Sequence, residues 1–73
     1  MQAKMTAPMA GKVIQIHFNA GQTVEEDDEG IVIEAMKMET MIYVPHTGLV
    51  EEIKVKVGDR VEEDDELAVI QTA

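Results

Sequence analysis

The residues most able to take part in chemistry lie at the middle of the chain, in a segment that reads EAMKMET. Lys37 stands at its centre between Met36 and Met38, and a glutamate lies near each end. A lysine amine can act as a catalytic nucleophile, but only when desolvation lowers its pKa. Neighbouring carboxylates favour the charged ammonium instead. The sequence therefore favours Lys37 as the acceptor of a covalent group added by another enzyme.

The length and net charge of the chain argue against several classes of function. The chain has 73 residues, a net charge of −9 and no cysteine. This length predicts one domain without room for a large internal cavity, and the negative charge argues against a nucleic-acid partner, which favours a basic surface. No segment resembles a signal peptide or reaches the roughly 20 apolar residues of a membrane span. We expect a monomeric, cytoplasmic domain without membrane insertion.

Few other residues suggest a site. The sequence has no Ser/His/Asp set, phosphate loop or metal-ligand cluster, so it predicts no catalytic residue and no metal site; His17 and His46 are expected to be surface or packing residues. Ten of the 15 acidic residues lie in two EEDDE runs, at 25–29 and 62–66. These runs lack the spacing of a calcium loop. They are interpreted as solvated turns, with a docking surface for a basic partner as the alternative.

The chain consists of two copies of one unit. A shift of 37 residues aligns Pro8–Glu34 with Pro45–Gln71 without a gap, and 13 of the 27 positions are identical. Two units are too few for a stacked array. The repeat predicts two halves, 8–34 and 45–71, that pair face to face about a pseudo-twofold axis and share one core.

Short apolar segments separated by glycines predict strands throughout. The alternating stretch from Ile53 to Val57 is typical of a half-buried strand, and Pro8 and Pro45 suit strand edges. The predicted strands lie near 3–7, 12–19, 22–24, 30–35, 38–44, 49–56, 59–61 and 67–71. This pattern predicts about four strands in each half and an all-β fold, a flattened antiparallel barrel or sandwich.

A tight hairpin over residues 35–38 joins the two halves in this map, with Met36 and Lys37 as its central residues. Two-residue hairpin turns prefer Asn-Gly, Asp-Gly or other glycine-containing pairs. A local rule broken without structural gain points to function. Exposed methionines at such a tip suggest contact with a partner, because methionine adapts well to different surfaces.

These residues resemble the attachment motif of biotinyl domains, the carriers of biotin-dependent carboxylases and decarboxylases. Ala35-Met36-Lys37-Met38 matches the family's attachment tetrapeptide, and the segment 7–11 is similar to its opening motif. The resemblance covers nearly the whole chain, so residues 1–73 are interpreted as one biotinyl domain. It implies two four-stranded sheets with Lys37 on an exposed hairpin. The residues that it implies for partner recognition flank Lys37: Glu34, Ala35, Met36, Met38 and Glu39.

The resemblance also implies a cofactor and partners. A biotin protein ligase would join biotin to the Lys37 amine as an amide. A biotin carboxylase would carboxylate the biotin, and a carboxyltransferase would pass the carboxyl group to an acyl-CoA or a 2-oxo acid, as in acetyl-CoA or pyruvate carboxylases. In a decarboxylase the flow would reverse. The domain would make no bonds itself.

Three residues depart from the family pattern. Asp27 and Asp64 occupy turn positions where biotinyl domains commonly have glycine, which predicts slightly strained turns. Gly30 replaces a core aliphatic, whereas the second half has Leu67 at the matching position. This difference predicts weaker packing at the start of the strand that leads to Lys37.

Two alternatives remain. A lipoyl carrier domain of a 2-oxo acid dehydrogenase shares the implied fold, but its lysine commonly follows an aspartate, where this chain has Met36. An unmodified adaptor module would have no use for Lys37 or for the methionines beside it.

Overall fold

Eight strands account for the regular structure of the computed structural model, which describes residues 1–72. They form two four-stranded antiparallel sheets, which confirms the predicted fold class. The structure shows no helix in residues 1–72, hence none long and apolar enough to cross a membrane. The strands are β1 (Gln2–Thr6), β2 (Gly11–Ile16), β3 (Thr23–Val24), β4 (Glu29–Ala35), β5 (Met38–Tyr43), β6 (Gly48–Ile53), β7 (Arg60–Val61) and β8 (Glu66–Thr72).

The internal repeat relates one sheet to the other. A shift of 37 residues takes β1, β2, β3 and β4 onto β5, β6, β7 and β8. It thereby converts the sheet β1-β8-β6-β3 into the sheet β5-β4-β2-β7. Each sheet contains strands of both halves, so the prediction that the halves pair as separate faces is wrong. They interleave because every connection between consecutive strands, except the β4–β5 hairpin, crosses from one sheet to the other.

A single core lies between the sheets and draws on all eight strands. Burial of these side chains supplies the main stabilisation, at about 25 cal/mol for each Å² of apolar surface removed from water. No polar or charged side chain of residues 1–72 is buried with them. The largest fully buried side chains are Met5, Val13, Ile31, Ile33, Val44, Val50, Leu67 and Ile70.

The position of Gly30 is well filled, so the prediction of weaker packing there is wrong. Gly30 lies at a register shift between β4 and β5, and a Cβ atom on it would lie 2.6 Å from the Ile42 carbonyl oxygen and 2.9 Å from Met5 Cε. Phe18 also reaches this position. In the second half, where Leu67 replaces the glycine, the residues that match Met5 and Phe18 are shorter or smaller: Ile42 and Val55.

The acidic runs form two matching turns. In the first, the Glu25 amide donates a 2.9 Å hydrogen bond to the Asp28 carboxylate, and the Asp28 amide donates to the Glu25 carbonyl at 3.0 Å. The turn over 62–65 repeats both bonds. Asp27 and Asp64 each have a φ of 71°, a left-handed conformation that aspartate tolerates better than most residues. The structure thus gives the runs a role as turns and explains the strain expected there.

The strand predicted at 49–56 is shorter than the alternation through residues 53–57 indicated. β6 ends at Ile53, and the chain then turns at Lys56–Asp59, where the Asp59 amide donates to the Lys56 carbonyl at 3.0 Å. Gly58 supplies a φ of 100°, and Val57 points into solvent with 62% of its surface exposed. β2 likewise ends three residues earlier than predicted, at 16 rather than 19. The alternation of polar and apolar residues thus indicated an extended backbone, but the turn at Lys56–Asp59 prevents the strand from continuing.

Candidate functional site

The hairpin between β4 and β5 contains the candidate lysine. Ala35 pairs with Met38, which leaves Met36 and Lys37 as the two central residues of the turn. Their φ angles are 52° and 65°, as a type I′ turn requires. A left-handed conformation costs a non-glycine residue roughly 1–2 kcal/mol. The turn that joins the two halves therefore contains two residues for which this backbone conformation is unfavourable.

Both methionines beside Lys37 face solvent. Met36 is 94% exposed and Met38 is 71% exposed, and Lys37 is exposed between them. Neither methionine contributes to the core, so edge packing does not explain them. An apolar surface of this kind on a protruding tip suits contact with another protein.

The flanking residues Glu34, Ala35 and Glu39 lie at the base of the tip. Glu34 and Glu39 stand directly opposite each other on β4 and β5, and both are exposed. Like charges directly opposite each other are destabilising in a sheet. Ala35 is half-buried under the turn. The structure thus brings all five predicted recognition residues to one end of one hairpin.

Gly11 fixes the base of this hairpin from the neighbouring strand. β4 lies between β5 and β2, and its residue Ile33 is fully buried. A Cβ atom on Gly11 would lie 2.7 Å from the Glu34 carbonyl oxygen and would collide with the Ile33 side chain. Only glycine permits β2 to approach β4 this closely. The exposed tip therefore extends from a strand that is held on both sides.

A depression of about 340 Å³ lies beside the hairpin, and two of the residues that line it were not predicted from the sequence. Lys12 and Arg60 line it together with Lys37, and they pair directly with each other across β2 and β7. The repeat contains a signal that could have revealed them. The positions that match Lys12 and Arg60 in the other sheet are uncharged, Leu49 and Thr23.

The ion pairs of residues 1–72 lie away from the tip. Glu66, at the start of β8, accepts from the amines of Lys4 and Lys54, each at 2.8 Å. Hydrogen bonds from Lys4 and Lys54 lower the pKa of Glu66 to about 2. The bond to Glu66 in turn raises the pKa of Lys54. These contacts tie β1 and the segment after β6 to β8, which is a structural role.

The geometry of the tip suits attachment better than catalysis. An exposed amine at the end of a long, flexible stem can enter the cleft of another enzyme, whereas a Schiff-base lysine needs desolvation. The hairpin also leaves space around that amine for a bulky group. No buried surface restricts a group joined to that amine, and the residues present therefore fit biotin.

Comparison with known proteins identifies the family. The profile of the family described as "Biotin-requiring enzyme" matches residues 3–70. A biotin carboxyl carrier protein of Streptococcus mutans is 45% identical over 38 residues, which cover 52% of this chain and 29% of that protein.

Solved structures agree with this result. The urea carboxylase of Kluyveromyces lactis superposes with a TM-score of 0.90 at 34% identity, over 97% of this chain and 6% of that one. A single-chain, multi-domain long-chain acyl-CoA carboxylase superposes with a TM-score of 0.91 at 25% identity, over 99% of this chain and 7% of that one. The chain thus spans a small part of each relative's length. The chain belongs to the family of biotin-requiring enzymes and has the fold of its biotinyl domains.

Proposed function

We propose that Lys37 is the attachment residue for biotin, and that the domain carries a carboxyl group between the active sites of a biotin-dependent carboxylase or decarboxylase. One observation supports this most strongly. In a chain of this family, Lys37 occupies an unfavourable type I′ position between two exposed methionines. A turn with only a structural role gains nothing from an exposed lysine between two methionines. An enzyme that modifies the tip needs both an accessible amine and a surface to bind.

Attachment is a condensation catalysed by a biotin protein ligase. The ligase would supply biotin whose carboxyl group has been activated by ATP. The Lys37 amine would attack the activated carboxyl carbon, so that a C–N bond forms and the bond from that carbon to its leaving group breaks. The nitrogen loses its surplus proton to a base or to water. The domain supplies a rigid, exposed amine, and Met36 and Met38 supply contacts for the ligase.

The carrier function follows from the shape of the domain. Bound biotin supplies a ureido nitrogen that can hold a carboxyl group, which a biotin carboxylase adds and a carboxyltransferase removes. The β4 strand holds the tip rigidly, while the lysine stem and the biotin tail supply reach. Tethering raises the effective concentration of the carboxyl group at both sites without any new contact. The relatives that are carboxylases contain such a domain within much longer chains.

The test is intact mass spectrometry after incubation with a biotin protein ligase, ATP and biotin, followed by mapping of the modified peptide. We expect one added biotin, on Lys37, and none on Lys37→Arg or Lys37→Ala. The arginine variant keeps the positive charge, so its failure would identify the amine itself as the requirement. Label on another lysine, or none on the folded wild type, would refute the proposal. A parallel reaction with a lipoate ligase tests the lipoyl alternative.

A further inference from the structure

Two cations oppose each other beside the lysine tip. Lys12 on β2 and Arg60 on β7 are paired in register, and like charges in that position destabilise a sheet. The repeat provides an internal comparison, because the same register in the other sheet joins Thr23 and Leu49. The fold therefore tolerates an uncharged pair at this place. The charged pair occurs only at the end of the molecule that contains Lys37.

Glu34 on β4 stands opposite Lys12 in register, but neither Lys12 nor Arg60 forms an ion pair in the described part of the chain. The ion pairs within residues 1–72 involve Lys4 and Lys54, and no carboxylate there lies within 4.0 Å of the Lys12 or Arg60 nitrogens. Both side chains are exposed and line the depression next to the hairpin. Unpaired like charges are unexpected on a chain with 15 acidic residues. A local arrangement that lowers stability without structural gain points to a ligand.

We propose that Lys12 and Arg60 form a docking site for the carboxylated head group of the biotin arm on Lys37. The proposal rests on the proposed function, since it requires biotin on that lysine. Lys12 and Arg60 supply donors for the carboxylate and the ureido oxygen. Glu34, which also lines the depression, supplies an acceptor for the ureido N–H that remains. Ala35 and Met36 provide an apolar wall for the ring.

The position of the depression favours this occupant over a free anion. Lys37 itself forms part of its wall, so an arm attached there needs only to fold back. A free anion would have to approach a domain of net charge −9, which repels it at long range. A tethered anion is already present at high effective concentration. Charge and connectivity thus select the arm's own head group.

Docking would slow loss of the carboxyl group during transfer between active sites. In that loss the N–C bond breaks, carbon dioxide leaves, and the ureido nitrogen takes the electron pair and then a proton from water. Negative charge moves away from the carboxylate in the transition state. Cations beside the carboxylate stabilise the starting state more than the transition state, so they retard the reaction.

The first measurement is an amide spectrum of the 15N-labelled domain in three states: unmodified, biotinylated, and carboxylated by a biotin carboxylase with ATP and 13C-bicarbonate. We expect carboxylation to shift the Lys12, Ala35 and Arg60 amides and to leave Thr23 and Leu49 unchanged. Shifts at the tip alone would refute docking. Mass spectrometry of the same sample records biotin on Lys37, so a failure of attachment is distinguished from a failure of docking.

The second measurement is the rate of 13C-carbon dioxide release from the isolated carboxylated domain. Arg60→Gln and Lys12→Gln should each release it about three-fold faster, the effect of losing one surface charge pair. Lys56→Gln is the matched control, since it removes one charge outside the depression, and its rate should equal that of the wild type. Equal rates in all four proteins, or a rise as large in the control, would overturn the proposal.

Discussion

Replacement of Met36 by asparagine should make the domain more stable and a poorer substrate for its ligase. Met36 has a φ of 52° at the first central position of the type I′ turn, where asparagine is favoured. Its side chain is 94% exposed, so the change removes almost no buried surface. The substitution therefore has two independent effects. It relieves strain in the backbone, and it removes the contact between the Met36 side chain and the ligase.

The expected increase in the free energy of unfolding follows from the backbone conformation at residue 36. The left-handed conformation costs a non-glycine residue roughly 1–2 kcal/mol, and asparagine avoids most of that cost because its side chain bonds locally. We expect Met36→Asn to raise the free energy of unfolding by about 1 kcal/mol. In a domain of this size that raises Tm by about 4–8 °C. Loss of the methionine contact should lower kcat/KM for biotinylation about five-fold, or about 1 kcal/mol of transition-state binding.

Urea denaturation and steady-state ligation kinetics on the same samples test both parts. Met38→Asn is the matched control, because it makes the same change two residues away, outside the positive-φ pair. It should show the kinetic loss without the gain in stability. A Met36→Asn protein that is no more stable than the wild type would refute the assignment of strain to this turn. Unchanged kinetics in both variants would remove the recognition role of the methionines.

Three further results are expected. Met38→Leu keeps a similar apolar volume, so a fall in ligation or carboxylation rate at unchanged Tm would mark specific recognition, and unchanged kinetics would argue against it. Gly30→Ala should lower the free energy of unfolding by about 1–3 kcal/mol, since the new methyl group would meet the Ile42 carbonyl and Met5; an unchanged urea midpoint would contradict the packing described. Two lysines hold the pKa of Glu66 at about 2, below its ordinary 4.5. Because the folded-state pKa is depressed, this stabilisation is present above pH 4.5 and is lost as the pH falls towards 2. The Tm difference between wild type and Glu66→Gln should therefore shrink over that range, and a difference that is constant with pH would contradict it.

Features encoded locally or by the repeat were predictable from the sequence. The 37-residue repeat predicted matching sets of strands in the two halves, because similar sequences form similar strands, but it did not predict how those strands divide between the two sheets. The hairpin at 35–38 followed from two strands with only two residues between them, and the absence of glycine there marked Met36 and Lys37 as functional. The role of Lys37 as the attachment residue stays a prediction until its modification is measured.

Features that depend on distant residues were not predictable. The pairing of Lys12 with Arg60 depends on a register between strands that are far apart in sequence, and no local pattern contains it. The filled space at Gly30 depends on Met5, which arrives from the other sheet. The end of β6 was misjudged because polar–apolar alternation also occurs in extended loops; the Gly58–Asp59 pair was the local signal of a turn.

The interleaving of the two halves sets the order of synthesis, folding and modification. The hairpin of β4 and β5 is local, but a lone two-stranded hairpin is at best marginally stable in water. Its apolar face is covered by a sheet that contains β8, and β8 pairs with β1 through Gln71 and Gln2 at opposite ends of the chain. Such long-range pairing forms late. Residues 66–72 must therefore leave the ribosome before Lys37 stands on a rigid tip. A ligase that requires that tip acts on the chain only after β8 has been synthesised.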